Sequence, residues 1–367
     1  MKNYVVSNIL CVMFCITLII CTLYGSDFFS NKIIGVAEKC VDINSEITLS
    51  KVNNNATVET NTIETPSPQI SDEVLNAADI TETPEDIASL MKNAEPLYKN
   101  FKKTGDIKEQ TFGATSNTQT YGSIKLNNKA GESIDIKTLL NTKMSLGTIT
   151  KDEPYILIYH THTTEGYELL DKGWYSNEYN SRTKDNAKNM VRVGDALAEQ
   201  LEKAGFKVIH DTTVYDSSYN GAYSRSLVSV KKYLKEYPSI VITLDVHRDA
   251  IHYDNGTKIK PTVTVNGKKA AQVMIITGCE GGGVEDFPEW KKNLVFSLNL
   301  QNTVEENYKS LMRPIFFCHR KYNMNVTPCS LLLEFGTDAN TLEEAVYSAS
   351  LVGKSLGELL NKEMEKM

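Results

Sequence analysis

Tyr155-Ile-Leu-Ile-Tyr159 runs straight into His160-Thr161-His162-Thr163-Thr164-Glu165. Five aromatic and branched residues read as a buried strand. The six that follow offer imidazole, hydroxyl and carboxylate groups in place of core. Downstream the same alternation recurs. Strands are expected at Phe206–Ile209, Ser239–Val246, Ala271–Thr277 and Ser330–Glu334. Between them the apolar spacing predicts helices. One starts at Asp185 as its cap and runs to Ala204, with Ala187, Met190, Val191, Leu197, Ala198 and Leu201 on one face and Gly205 as terminator. Others cover Tyr223–Leu234, Trp290–Leu311 and Leu342–Leu360. Strand-like runs alternating with helices predict an α/β fold, a mixed or parallel central sheet with helices on both faces. In such sheets the chemistry gathers beyond the carboxyl ends of the strands.

Upstream the chain changes character. Residues 31–115 are expected to be a low-complexity acidic tether. Lys51–Ser89 is rich in Asn, Thr, Glu, Asp, Ser and Pro, and such a segment buries too little apolar surface to offset its ordering entropy. Weak helical patterns at Asp72–Ala78 and Pro84–Tyr98 read as transient helix within it. Between residues 41 and 95 lie 11 acidic and two basic residues, a balance of −9 that leaves +2 for the rest of a chain whose total is −7. The acidity therefore belongs to the tether. No basic patch interleaved with aromatics is present, which excludes a nucleic-acid-binding reading. Before the tether, Tyr4–Tyr24 is an uncharged, mostly apolar stretch that spans about 30 Å as a helix, the thickness of a bilayer core. Residues 1–30 are expected to be a transmembrane anchor that stays uncleaved, since only Gly25 and Ser26 offer a weak cleavage site. The folded domain is expected over residues 116–367. The seven cysteines contain no C-x-x-C pair, which argues against zinc fingers and disulfide frameworks and for buried thiols, with a single disulfide left open.

Three of the six histidines lie at two strand ends: His160 and His162 after the first strand, His247 in Asp245-Val-His-Arg-Asp249 after another. A zinc hydrolase needs three His or carboxylate ligands, a position left for water, and a carboxylate to move protons. His162 and His247 are the candidate imidazole ligands. Glu165 is the candidate carboxylate ligand, within reach of His162 if the loop turns back; solvation of an exposed loop is its other reading. Glu334 follows Leu331, Leu332 and Leu333, so its strand reads as buried, and it is the candidate general base because a buried carboxylate is costly unless it lines a polar site. An ion pair of Glu334 with Arg248 is the alternative. On a continuing strand His160 would share a face with His162, as a substrate contact or a support for the ligand. Arg248 is a candidate for steadying an oxyanion, and Arg225 and Arg248 for holding a substrate carboxylate, with structural pairing the competing reading for each. Gly281-Gly-Gly283 lacks the following Gly-Lys-Ser/Thr of a phosphate loop. Ser226 and Ser330 lack the Gly-x-Ser-x-Gly turn of a serine hydrolase.

At Ile158-Tyr-His-Thr-His-Thr-Thr-Glu165, Tyr219-Asn-Gly-Ala-Tyr-Ser-Arg-Ser226, Asp245-Val-His-Arg-Asp249, Trp290-Lys-Lys-Asn293 and Leu331-Leu-Leu-Glu-Phe-Gly336 with Asn340, the chain resembles the stage II sporulation protein P family. The resemblance covers residues 120–367, and the anchor-and-tether layout also matches. It implies a fold like the zinc-dependent N-acetylmuramoyl-L-alanine amidases. It implies cleavage between the glycan's lactyl group and the stem peptide, a second activity on peptide crosslinks, and a role in engulfment during endospore formation. The implied partners are a lytic transglycosylase and a multispanning membrane protein, with the catalytic domain on the extracytoplasmic side. The resemblance carries metal ligation onto His162 and His247, catalysis onto Glu334, and puts Asn293 among substrate-contacting candidates. The amidases place their glutamate ligand near the start of the following helix, where this chain has Thr183, Asp185 and Asn186, so Asp185 rivals Glu165. Two other functions stay open: a non-catalytic peptidoglycan-binding scaffold, indifferent to chelators, and a zinc deacetylase, which would release acetate.

Overall fold

The structure, a computed structural model, describes residues 80–367. The described residues other than 218–221 form one compact unit, to which all that follows belongs. The expected anchor over residues 1–30 and the first part of the expected tether lie outside the described residues. Among the described residues no helix is long and apolar enough to cross a membrane.

The central sheet has eight strands in the order β2-β3-β11-β10-β12-β7-β4-β6. These are β2 (Gln119–Tyr121), β3 (Ile124–Asn128), β4 (Pro154–Tyr159), β6 (Lys207–His210), β7 (Ile242–Asp249), β10 (Val273–Gly278), β11 (Ile315–Cys318) and β12 (Cys329–Thr337). β12, β7, β4 and β6 are mutually parallel, as are β10, β11 and β3; the two blocks meet antiparallel at β10 and β12. The sheet is therefore mixed. It places β7 between β4 and β12, with Tyr159 level with Asp245 and Glu334 level with His247. Three strand ends predicted to bear the chemistry are thus neighbours.

Apolar side chains on the two faces of β4 enter different cores. Ile156 and Ile158 join the main core, while Leu157 and Tyr159 pack with Val230 and Ile240 in a smaller one. Val230 belongs to α4 (Ala222–Glu236), which covers that second face. In the main core, α3 (Met190–Lys203) and α6 (Leu342–Met364) pack together, with α5 (Trp290–Asn307) beside α6. The approach of α3 to α6 is close enough to need glycine: a Cβ at Gly357 would lie 2.6 Å from Ala204 Cβ. α6 starts at a capping box of Thr341 and Glu344, which satisfies donors the first turn leaves open.

α3 begins five residues later than its predicted cap. Asn189, not Asp185, accepts from Val191 N at 2.9 Å. The reason is tertiary: Gly166 bridges Asn189, and Glu165 bridges Arg182, so residues before 190 run alongside the loop after β4. A Cβ at Gly166 would meet the Ser181 carbonyl oxygen at 2.6 Å, which fixes that residue type.

The tether expected over 31–115 stops short of residue 85. α1 (Glu85–Asn100) buries Ile87, Ala94 and Tyr98, spaced seven and four apart along one helical face. That stripe is narrow, and Pro96 inside the helix weakens the pattern further. After α1, β1 (Gly105–Gln110) joins a second sheet absent from the sequence-based expectation, of order β5-β1-β8-β9. Its other strands are β5 (Trp174–Tyr175), β8 (Lys258–Val265) and β9 (Lys268–Ala271). Asn266 and Gly267, at φ of 48° and 79°, join β8 to β9 as a two-residue hairpin turn. That Asn-Gly pair was the available signal. A short α2 (Ile136–Leu140) completes the helices described. Cys279, Cys318 and Cys329 are buried free thiols.

Candidate metal centre

β4 ends at Tyr159, and the chain turns at once instead of continuing as a strand. Glu165 N donates to the His162 carbonyl at 3.1 Å, closing the turn. The threonines hold it. Thr161 donates from N and Oγ1 to Asp245 at 2.8 and 2.7 Å. Thr163 Oγ1 reaches the carbonyls of His160 and Thr213. Thr164 donates from N and Oγ1 to Asp216. The loop thus turns back, and Glu165 comes to rest beside His162.

His162, Glu165 and His247 are all buried, and one ligand atom from each lies within 4.8 Å of the others. His162 Nδ1 is 3.6 Å from Glu165 Oε1, and His247 Nδ1 is 3.5 Å from Glu165 Oε2. Two ligand atoms about 2.0–2.1 Å from a tetrahedral zinc stand about 3.3 Å apart, so the donor set fits such an ion in kind and spacing. Burial pushes Glu165 towards its acid form, but hydrogen bonds and charge from His162 and His247 outweigh it and hold the carboxyl well below its usual range. The carboxylate therefore stays ionised, as a ligand must. It also accepts from Arg182 Nη2 at 3.1 Å and from Arg248 N at 3.3 Å.

Asp245 is a residue the sequence reading quoted but gave no role. It is fully buried on β7, and its Oδ1 lies 2.7 Å from His247 Nε2, a close contact outside aligned hydrogen-bond geometry. Burial opposes the imidazolium of His247, while Asp245 and then Glu165 favour it, raising that group well above its usual range. One ring nitrogen thus faces a buried carboxylate while the other faces the cluster, the arrangement that orients histidine ligands. The period of two along β7 puts Asp245 on the face of His247, which was the signal available.

Glu334, on β12 beside His247, is partly exposed, but its Oε2 is buried and makes no hydrogen bond. Burial raises its carboxyl to about 8, with Asp249 and Glu165 adding to the effect and His247 and Arg313 opposing it. Arg248 does not pair with it. Tyr223, at the start of α4, sets its ring edge-on to His162 at 5.6 Å and parallel to His247 at 6.4 Å. Burial, then Asp245, Tyr322, Glu334 and Glu165, keep its phenol well above the usual range, so the O–H stays on.

Five candidates take other places. His160 is fully buried and does not share a face with His162, because the strand has ended. Its Nδ1 is 2.9 Å from the Val246 carbonyl oxygen, which can only accept, so the proton sits there. Its Nε2 meets His210 Nε2 at 2.8 Å, and His210 Nδ1 lies 3.0 Å from Asp195 Oδ1. Burial, then His210, hold His160 well below the usual range. A neutral, enclosed ring braces the two strands and is not available to substrate. Asn293 is equally enclosed; its Nδ2 donates to the carbonyls of Met324 and Ser330, tying α5 to β12 and the loop before it. Arg248 directs its guanidinium to the carbonyls of Gly166 and Asp249 and to Ser181 Oγ, which holds the ligand loop. Arg225 is exposed on α4 and donates from Nε to the Tyr215 carbonyl at 2.6 Å. Asp185, the rival ligand, is exposed and paired with Lys188 at 2.8 Å, away from the cluster.

A family model described as stage II sporulation protein P (SpoIIP) matches residues 54–357. The chain is 28% identical over 222 residues to stage II sporulation protein P of Bacillus subtilis strain 168, covering 57% of this chain and 52% of that one. It thus spans about half the length of that relative. Among solved structures it is similar to N-acetylmuramoyl-L-alanine amidase AmiC2 of Nostoc punctiforme, at 12% identity and a TM-score of 0.35 over 59% of this chain and 98% of that one. It is also similar to the CwlD amidase of Clostridioides difficile, solved in complex with the GerS lipoprotein, at 15% identity and 0.34 over 57% and 99%. At scores this low neither likeness bears on function.

Proposed function

The chain belongs to the stage II sporulation protein P family, and on that premise we propose that it is a zinc-dependent peptidoglycan hydrolase. It cuts the amide between N-acetylmuramic acid and the stem peptide, with endopeptidase activity on crosslinks, during engulfment. The observation that carries the reading is the buried convergence of His162, Glu165 and His247 beside an unpartnered Glu334 oxygen.

A divalent ion held by His162, Glu165 and His247 would supply Lewis acidity towards water and the substrate carbonyl. Glu334 handles protons: raised to about 8, its carboxyl both takes a proton from attacking water and returns it to the leaving nitrogen near neutral pH. Asp245 orients His247, and the threonine-pinned turn fixes Glu165. The domain acts outside the cytoplasm, anchored by residues 1–30 on a tether that ends before α1. A lytic transglycosylase and a multispanning membrane protein are its proposed partners.

A scaffold reading draws on the Arg182–Glu165 pair, which satisfies that carboxylate without an ion. Dye release from labelled sacculi separates the two. The hydrolase releases dye, loses this with a chelator, and loses at least about 100-fold in Glu334→Gln, the scale of a general acid–base contribution. Release that ignores both treatments would refute the assignment.

A further inference from the structure

With Arg248 committed to the ligand loop, the centre lacks its expected oxyanion donor. The other nearby cations serve carboxylates: Arg182 pairs with Glu165 and Asp216, and Arg313 with Asp249. Tyr223 remains. Its ring packs against both histidines of the cluster, and the charges of Asp245, Glu334 and Glu165 all bear on its phenol oxygen. As a whole residue it is half-buried, not fully enclosed.

The fold builds this placement deliberately. One turn along α4, Ser226 Oγ lies 2.8 Å from Thr161 Oγ1, so the helix start is tied to the ligand loop. Asn323 Nδ2 donates to the Tyr223 carbonyl at 3.0 Å and to Ser226 Oγ at 3.1 Å. Tyr322 stacks on the Tyr223 ring at 5.1 Å. Tyr322 and Asn323 both take left-handed backbone, at φ of 41° and 57°. A bulky side chain is uncommon there, and such outliers persist where surroundings enforce them, often beside active sites. Here the left-handed pair lets one loop back the Tyr223 ring and clamp its main chain together.

We propose that Tyr223 is a further catalytic residue, its phenol O–H donating a hydrogen bond to the carbonyl oxygen of the scissile amide. This rests on the hydrolase reading and adds the missing donor. As water oxygen bonds to the carbonyl carbon, the C=O π pair moves onto oxygen and the water's proton passes to Glu334. When the tetrahedral centre collapses, that pair reforms C=O, the C–N bond breaks, and Glu334 protonates the leaving nitrogen. Tyr223 transfers no proton. It stabilises the charged oxygen, which is where a preorganised donor acts most strongly.

Tyr223→Phe keeps the ring and removes only the donor. The expected result on soluble muropeptides is a kcat lower by about 100-fold, with KM, zinc content and thermal midpoint unchanged. A phosphinate analogue of the scissile amide, whose charged oxygens mimic the intermediate, should bind Tyr223→Phe correspondingly more weakly. Tyr121→Phe, on the exposed edge strand β2, should retain wild-type kcat. An active wild type with an equally active Tyr223→Phe overturns this assignment alone. A wild type that releases nothing overturns the hydrolase reading and this assignment with it.

Discussion

Asp245 meets His247 Nε2 at 2.7 Å while Nδ1 of the same ring faces Glu165 at 3.5 Å. The aspartate also anchors Thr161, so one buried carboxylate sets both the ligand ring and the ligand loop. Asp245→Asn should lower zinc affinity about 10–100-fold, as loss of an orienting partner does. Competition against a chelating dye measures it, with circular dichroism to check the fold; unchanged affinity would remove Asp245 from the centre. At this scale the sequence was informative where chemistry fell at strand ends. His162, Glu165, His247 and Glu334 were named there, and the structure brings them together. His160, Asn293 and Arg248 were also named, yet their donors go to backbone carbonyls of Val246, Met324, Ser330 and Gly166. Such partners are distant in sequence, so nothing local marks them. Tyr223 sat inside a quoted motif, but only the packing of α4 against the ligand loop gives it a role.

Among the elements, α1 is the one whose order the sequence concealed. Tyr98 at its end donates to Glu168 Oε2 at 2.6 Å and accepts from Leu169 N at 3.1 Å, three and four residues past Glu165. Burial raises Glu168 to about 7; Asp338 adds to this, and Tyr98 and Lys258 oppose it. The folded state therefore holds this proton more tightly than the unfolded chain, whose carboxyl titrates near 4.5. The stabilisation is complete below that value and is lost as pH rises through about 7, a change of about 3 kcal/mol. Glu168→Gln keeps an acceptor for Tyr98 without the ionisation. Between pH 5 and 8, denaturant unfolding should show wild type losing about 2.5 kcal/mol relative to the variant. Parallel losses in both would exclude Glu168 as the source. The second sheet was concealed differently: Asn266-Gly267 marked its hairpin, but β1 pairs with β8 across some 150 residues, a contact no local pattern encodes.

For the molecule as a whole, the fold class was legible because strand and helix periods alternate cleanly. Strand direction was not, since a buried apolar run such as Val273–Gly278 reads the same either way; β10 lies antiparallel to β12. The centre draws on the loop after β4 and on β7, so it exists only once the sheet has formed. An ion that binds only this folded arrangement stabilises it by mass action. Zinc at a thousandfold excess over its Kd should add about 4 kcal/mol and raise the thermal midpoint on the order of 10 °C. His162→Ala with His247→Ala should abolish the increment, and an equal rise in that variant would place the zinc elsewhere. The contacts around α1 also have a mechanical meaning. Tension on the chain upstream of residue 80 meets the pairs of Thr83 with Glu343 on α6 and of Asp86 with Arg192 on α3 first, and reaches Tyr98 and the Glu168 loop only after those pairs part.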